Sequence, residues 1–189
     1  MCAKKLVLGS ASPRRARILD AMGVPFDVVA PEVEEVLLAA DARATVTENA
    51  RRKLAWVRAR HPDRPIVTAD TVVVFDGRCL AKPATRAEAY AFLRRFSGNR
   101  QTVLTGVGLY DARGGSRVDV EESGVLFRVL TERDIDAYFA EVNPMDKAGA
   151  YDIGQAGERI IAAHEGSWTN IMGLPRERIE RWWHTWNTA

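Results

Sequence analysis

Apolar residues follow two patterns that alternate along the chain, one typical of strands and one typical of helices. Six segments rich in Val, Leu, Ile and Phe are typical of strands, at residues 6–8, 26–29, 66–75, 78–81, 102–110 and 117–129. Elsewhere apolar residues recur every three or four positions and share one helix face, as do Ile135, Tyr138, Phe139 and Val142, and then Ile179, Trp182, Trp183 and Trp186. We expect the last, aromatic face to lie in the core or at a subunit interface. The alternation predicts an α/β fold with helices flanking a mixed sheet.

Helix starts are marked by a threonine with an acidic residue three positions later. This pattern occurs at Thr45 with Glu48, at Thr85 with Glu88 and at Thr131 with Asp134. In such a capping box the hydroxyl accepts a bond from a free backbone N–H of the first turn, and the acid pairs with another. Each of the three threonines is therefore expected to open a helix.

Two turns join predicted strands into antiparallel hairpins. Asp76-Gly77 is a favoured dipeptide for a two-residue turn, and Gly114-Gly115 can close the longer pair. The early strands alternate with helices, which favours parallel pairing, whereas the late hairpin adds antiparallel strands. We therefore predict an elongated mixed sheet with two lobes around a cleft.

The first hairpin also predicts a register. If Phe75 pairs with Arg78, continued pairing places Thr71 opposite Lys82. The Lys82 ammonium then lies near Asp70, although strict pleating puts it on the face of Thr71. The register therefore predicts proximity between Lys82 and Asp70 without a direct contact.

The composition excludes several classes of protein. At 189 residues with 47% apolar content, the chain can form one well-buried domain or two small lobes. A net charge of +2 is too small for a nucleic-acid partner, and no segment has the length of a membrane span. Cys2 and Cys79 have no metal-binding spacing, and the three histidines are scattered. We expect a cytoplasmic protein without a leader, a membrane partner or a structural metal.

The segment at residues 9–15, GSASPRR, has the pattern of an anion-binding loop. It follows an apolar strand, and Ser12 and Pro13 suit the N-cap and first position of a helix. Backbone N–H groups and the positive helix end then converge where Arg14 and Arg15 project. The alternative is an ordinary capped helix with two solvated arginines.

Asp70 interrupts a strongly apolar strand, and a carboxylate in such a run needs a partner or a metal. Either it takes part in chemistry or it forms a structural pair with a lysine. Lys53 lies close to the apolar face of its predicted helix, so it either points into a cleft or lies along the surface with its head in water. Glu34 and Glu35 follow the second strand, where they either help to hold a metal or are simply solvated.

Several separated motifs occur in a characteristic order. They are Ser10 to Arg15, Lys53, Ala69-Asp70-Thr71-Val72-Val73, Lys82-Pro83, Ser97-Gly98, Asp146-Lys147-Ala148-Gly149-Ala150-Tyr151 and Gly173-Leu174-Pro175. Neither the Walker nor the dinucleotide-binding fingerprint is among them. Taken together, the motifs closely resemble the Maf family of nucleoside triphosphate pyrophosphatases along almost the whole chain.

The resemblance implies one Maf-like domain over residues 1–189, with a fold similar to the inosine triphosphate pyrophosphatase type and commonly a homodimer. It implies hydrolysis of a nucleoside triphosphate to the monophosphate and pyrophosphate with a divalent metal, Mg²⁺ or Mn²⁺. By position, Asp70 corresponds to the catalytic carboxylate, which lies near the metal, and it is therefore a candidate metal ligand. Glu34 is a further candidate from its place after the second strand. The residues corresponding to phosphate-binding positions are Ser10, Arg14, Arg15, Lys53 and Lys82.

The resemblance is to the branch that acts on dTTP and UTP, and it implies that Arg14, Thr71 and Gln155 determine the base. One departure affects this expectation. The usual Gly-Ile-Gln-Gly is Asp152-Ile153-Gly154-Gln155 here, which displaces the glutamine by one position. An alternative function is a nucleotide sensor that regulates septum formation in cell division without hydrolysis.

Overall fold

The computed structural model describes residues 5–188, with the side chains of residues 187 and 188 left out, so Cys2 lies outside the described residues. The strands are β1 (Leu6–Gly9), β2 (Phe26–Val29), β3 (Ile66–Phe75), β4 (Arg78–Leu80), β5 (Arg100–Tyr110), β6 (Ser116–Phe127) and β7 (Ile161–Glu165). The helices are α1 (Pro13–Ala21), α2 (Ala42–Arg60), α3 (Arg86–Phe96), α4 (Glu132–Glu141), α5 (Gly157–Ile160), α6 (Trp168–Ile171) and α7 (Arg176–Thr188).

The sheet has the order β2-β1-β3-β5-β6-β7, with β4 paired to β3. Strand β1 runs parallel to β2 and β3, whereas β5, β6 and β7 continue the sheet in the antiparallel sense. The predicted mixed α/β fold is confirmed. The sequence did not predict β7, because only its first residue is buried and the strand therefore lacks an apolar pattern.

Two strands share one edge of β3 and leave a gap between them. Strand β5 pairs with β3 along its whole length, so β1 and β4 both lie on the opposite edge. The pairing of β1 with β3 ends at Thr68 of β3, and the pairing of β4 with β3 begins only at Val73. Asp70 and Thr71 lie at the unpaired stretch in between, where a ligand can approach.

The β3–β4 hairpin has the predicted turn but a shorter ladder. Phe75 pairs with Arg78, and the pairing ends at Val73 with Leu80. The predicted pairing of Thr71 with Lys82 is wrong, since the chain leaves the strand before reaching that position. Thr71 is instead paired with Thr105 of β5.

Two of the three predicted helix starts are confirmed. The Thr85 hydroxyl accepts a bond from the Glu88 N–H, and Thr131 forms a complete capping box. The start at Thr45 is wrong, because α2 begins earlier with Asp41 as its N-cap. Thr45 is buried instead and donates its hydroxyl hydrogen to the Asp41 carbonyl.

Two apolar clusters form the lobes on either side of the gap. One packs α3 and α4 against the antiparallel half of the sheet, and the other packs α1 and α7 against β1 and β3. Within the α7 face, Ile179 and Trp182 are buried in the second cluster. No helix among residues 5–188 has the length and apolarity required to cross a membrane.

Helix α2 packs on the face of the sheet opposite α1 and α7. It lies very close to β5 because that strand carries glycine at the contact. A Cβ atom at Gly106 would overlap the carbonyl of Val46 in α2. Gly106 is paired with Asp70 in the neighbouring strand, so the same contact sets the distance between α2 and Asp70.

We therefore expect Gly106→Ala to push α2 away from the sheet and to lower the free energy of unfolding by about 2 kcal/mol. Urea denaturation measures this change. The matched control is Gly124→Ala in β6, where the atoms nearest to a new Cβ belong to the movable end of the Arg100 side chain. Equal stabilities of the two variants would contradict the close packing of α2 at Gly106.

Candidate active site

A cavity of about 590 Å³ opens at the gap between β1 and β4. The lining includes the predicted catalytic, phosphate-binding and base-determining residues, which are Ser10, Arg14, Arg15, Lys53, Asp70, Thr71, Lys82 and Gln155. Successive residues of a strand point to opposite faces, so Asp70 faces α2 and Thr71 faces the lobe of α1 and α7. Both reach the cavity because this edge of β3 is unpaired there.

Asp70 is buried and held by two side chains of α2. Its Oδ1 accepts a bond from the Lys53 ammonium at 2.7 Å, and its Oδ2 accepts one from the Asn49 amide at 2.9 Å. Asn49 and Lys53 are four residues apart and therefore share one face of the helix. Both oxygens of the carboxylate are thus fixed, and the ammonium compensates for the buried charge.

Lys53 joins two carboxylates. Its Nζ lies 2.7 Å from Asp70 and 2.6 Å from the Oε1 of Glu35, and the lysine side chain is only 9% exposed. Glu35 lies at the mouth of the cavity, with 57% of its side chain exposed. This geometry excludes the alternative in which Lys53 lies along the surface with its head in water.

Lys82 lines the cavity as its predicted role requires, whereas Glu34 does not. Lys82 is exposed on the cavity rim, and no ion pair with Asp70 is formed within 4.0 Å. Glu34 does not line the cavity and contributes its backbone carbonyl to Arg52 instead. The next residue, Glu35, is the one that lines the cavity and pairs with Lys53.

Arg15 ties three separate segments together beneath the amino-terminal loop. Its guanidinium donates to the Gly173 carbonyl at 2.8 Å, the Ser10 hydroxyl at 2.9 Å and the Thr71 hydroxyl at 3.1 Å. Burial lowers the pKa of Arg15, and the charge of Asp70 partly offsets this effect. An arginine has five N–H groups, so one hydrogen on each Nη atom remains for a ligand.

The start of α1 exposes backbone donors to the cavity. Pro13 is the first helical residue, as predicted, and Ser12 is the N-cap. The Ser12 side chain makes no capping bond, whereas its N–H donates to the Ser10 hydroxyl at 3.2 Å. The first-turn N–H groups are therefore not consumed by a side-chain cap at this residue, which suits an anion at the helix end.

Arg14 is paired with an acid that the sequence analysis did not connect to it. Its Nη1 lies 3.1 Å from Oδ2 of Asp152, which is buried. The second oxygen of Asp152 accepts from the Gly154 N–H at 2.9 Å, and the Tyr138 hydroxyl bonds to the Asp152 backbone. Burial raises the pKa of Tyr138, so the hydroxyl stays protonated and available as a donor. Gln155 is exposed on the rim beside this pair.

Lys147 is a second buried lysine at the cavity, and it was not predicted as a site residue. Its ammonium donates to the Asn143 carbonyl at 3.0 Å and to the Asp146 carboxylate at 2.7 Å. The dense cluster of small residues after it was the available signal, because it permits close approach of a ligand.

The oxygen donors of the site fit a hard divalent cation. Among residues 5–188 no three His, Cys, Asp or Glu side chains form a group that could hold a metal by themselves. Glu35 and Asp70 do face the same space on either side of Lys53. Mg²⁺ is commonly bound by one or two carboxylates together with water and substrate phosphates, so these two residues would suffice as its protein ligands.

Comparison with known proteins shows to which family this chain belongs. The profile of the family described as "Maf-like protein" matches residues 5–185. The chain belongs to the Maf family. Of the motifs that carried the resemblance in the sequence, all but Ser97-Gly98 contribute at least one residue to the cavity lining of this Maf protein.

Relatives of this Maf protein include three named dTTP/UTP pyrophosphatase. The one from Symbiobacterium thermophilum is 44% identical over 93% of this chain and 90% of its own. The one from Deinococcus radiodurans is 41% identical over 95% and 91%, and that from Halalkalibacterium halodurans is 40% identical over 94% and 94%. A solved nucleoside-triphosphatase (dITP/XTP pyrophosphatase) from Mycobacterium abscessus aligns with a TM-score of 0.40 at 18% identity, over 65% of this chain and 72% of its own.

Proposed function

We propose that this protein hydrolyses nucleoside triphosphates, dTTP and UTP in particular, to the monophosphate and pyrophosphate with Mg²⁺ or Mn²⁺. The observation that carries the proposal is the buried Asp70 carboxylate, held by Lys53 and Asn49 at the open edge of β3. The names of the relatives support the reaction class and the pyrimidine substrates.

The surrounding charges suit a triphosphate. Lys82 and the free N–H groups of Arg15 face the cavity, and the helix end after Ser12 adds backbone donors. Arg15 and the backbone donors are fixed by the fold, so they offset the charge on the phosphates and on the leaving pyrophosphate without reorganisation, and Lys82 adds a positive charge at the rim. A bound divalent cation would be held by Asp70 and Glu35 and would polarise the scissile phosphoryl group.

Asp70 supplies the base in this proposal. In the proposed reaction, water attacks the α-phosphorus, and the bond from that phosphorus to the oxygen bridging it to the β-phosphorus breaks, so that this oxygen leaves with pyrophosphate. Asp70 accepts the proton of that water, and its two fixed oxygens limit the directions from which the water can approach. Lys53 holds the carboxylate in place and balances its charge before the proton is transferred.

In this proposal the nucleobase of the substrate is recognised at the end of the cavity away from Asp70. Arg14 is directed by Asp152 towards the loop that carries Gln155, and Thr71 is fixed by Arg15 and Thr105. The Gln155 amide offers a donor and an acceptor, which match the edge of a pyrimidine.

We also propose that the protein is a cytoplasmic homodimer without a nucleic-acid or membrane partner.

A nucleotide panel tests this function. We expect pyrophosphate release from dTTP and UTP at least tenfold faster than from purine triphosphates, with complete loss of activity in EDTA and recovery on addition of Mg²⁺ or Mn²⁺. Release of pyrophosphate is followed with canonical and modified nucleotides and with Mg²⁺, Mn²⁺ and Co²⁺. Tight nucleotide binding without turnover under any metal would instead support the sensor.

A further inference from the structure

Asn49 is buried between β3, the strand that carries Asp70, and the loop that precedes α2. It is only 2% exposed. Its Oδ1 accepts a bond from the Val36 N–H at 2.9 Å, and its Nδ2 donates to the Val36 carbonyl at 2.9 Å. The amide therefore pairs with the backbone of residue 36 in the same way as a neighbouring peptide group would.

This pairing fixes which way the amide points. The Val36 N–H must meet an oxygen and the Val36 carbonyl must meet an N–H, so Oδ1 and Nδ2 cannot exchange places. The second hydrogen of Nδ2 is then directed at Oδ2 of Asp70, 2.9 Å away. Both N–H groups of Asn49 are used, and neither is available to a ligand.

One side chain thereby sets two carboxylates relative to each other. Asn49 holds Oδ2 of Asp70 directly, and it holds the backbone of Val36, the residue next to Glu35. Glu35 and Asp70 in turn flank the Lys53 ammonium at 2.6 and 2.7 Å. A shift of the loop at Val36 would change the distance between Glu35 and the carboxylate of Asp70.

We propose that Asn49 is a positioning residue of the active site, which fixes the orientation of Asp70 and the placement of Glu35 without contacting the substrate. The inference rests on the proposed hydrolysis of nucleoside triphosphates. It assigns the alignment of the catalytic carboxylate, Asp70, to a side chain that is not among the family motifs.

Replacement of Asn49 is therefore expected to affect turnover more than binding. We expect Asn49→Leu, which has a similar volume, to lower kcat for dTTP about a hundredfold while KM changes less than about threefold. Asn49→Asp keeps the bond from the Val36 N–H and loses the donors to Asp70 and to the Val36 carbonyl. It is expected to lower kcat to a similar extent even though the loop stays anchored on one side.

Thr45→Val is the matched control. Thr45 lies one turn earlier in α2, is fully buried, and its hydroxyl anchors the same loop by accepting the Leu38 N–H at 3.0 Å. It makes no contact with Asp70. We expect the control to lose stability and to keep kcat within about twofold of the unsubstituted protein.

Crystal structures of the variants give a readout that does not depend on turnover. We expect Asn49→Leu to show a rotated Asp70 carboxylate and a displaced Val36, and Thr45→Val to show Asp70 unchanged. An unchanged Asp70 in Asn49→Leu, or an equal loss of kcat in Thr45→Val, would overturn the positioning role. A lack of pyrophosphate release by the unsubstituted protein would refute the hydrolase, and the structures would still decide whether Asn49 orients Asp70.

Discussion

Asp70→Asn is expected to lower pyrophosphate release from dTTP by about a thousandfold and to leave nucleotide binding largely intact. An amide cannot accept the proton of the attacking water, whereas the cations that face the cavity remain in place. The amide also retains nearly the same shape, so its oxygen can keep the bond from Lys53, whereas its NH2 group takes the place of the oxygen that accepted the bond from Asn49. The measurement is kcat from released pyrophosphate, with the dissociation constant of dTTP obtained by calorimetry.

The control for this variant is Glu34→Gln. Glu34 is acidic and close in sequence to the site, but its side chain does not line the cavity. It should keep kcat within about twofold of the unsubstituted protein. Full activity in Asp70→Asn would remove Asp70 from the reaction, and equal losses in both variants would show that the effect is not specific to the buried carboxylate.

Lys53→Met is expected to have the second-largest effect, on both stability and turnover. Without the ammonium, Asp70 and Glu35 carry like charges without compensation, and Asp70 is buried. Removing one partner of a buried pair costs about 3 kcal/mol in the free energy of unfolding. We expect a loss of that size in urea denaturation, together with a fall in kcat of about a hundredfold or more.

A divalent cation should rescue the stability of this variant. Mn²⁺ placed between the two carboxylates replaces the missing positive charge, and binding to the folded state alone raises the Tm. We expect Mn²⁺ without nucleotide to raise the Tm of Lys53→Met more than that of the unsubstituted protein. Arg51→Met, at an exposed position of the same helix, is the control and should change stability by about 0.5 kcal/mol or less. Equal Tm shifts in all three proteins would argue against a metal site between Glu35 and Asp70.

Local signals in the sequence predicted much of the sheet. The Asp76-Gly77 turn, the caps at Thr85 and Thr131 and the apolar runs depend on neighbouring residues, so each could be identified without the fold. Asp70 stood out for the same reason, since a carboxylate in an apolar run is costly unless it is paired.

The partners of Asp70 could not be found in this way. Its contacts with Lys53 and Asn49 depend on how closely α2 packs on the sheet, and that distance is set by Gly106 in a different strand. Extending the hairpin register gave Lys82 instead, because the sequence does not show where β4 ends.

The pairing of Arg14 with Asp152 also joins residues that are distant in sequence. It depends on the lobes meeting across the cavity, which no local pattern reports. Which of the adjacent acids Glu34 and Glu35 faces Lys53 depends on the path of the loop before α2, and no local pattern in the sequence indicates that path. The sequence therefore located the cavity lining, whereas the fold determines which charges meet.

The most direct test of the account is the crystal structure of Asp70→Asn with intact dTTP and Mn²⁺. We predict that the triphosphate lies in the cavity between the α1 loop and Lys82, with the α-phosphorus facing residue 70. The anomalous signal of Mn²⁺ should lie between Glu35, residue 70 and the phosphates. A triphosphate bound outside this cavity, or an α-phosphorus facing away from residue 70, would contradict the central claim that Asp70 directs water to that atom.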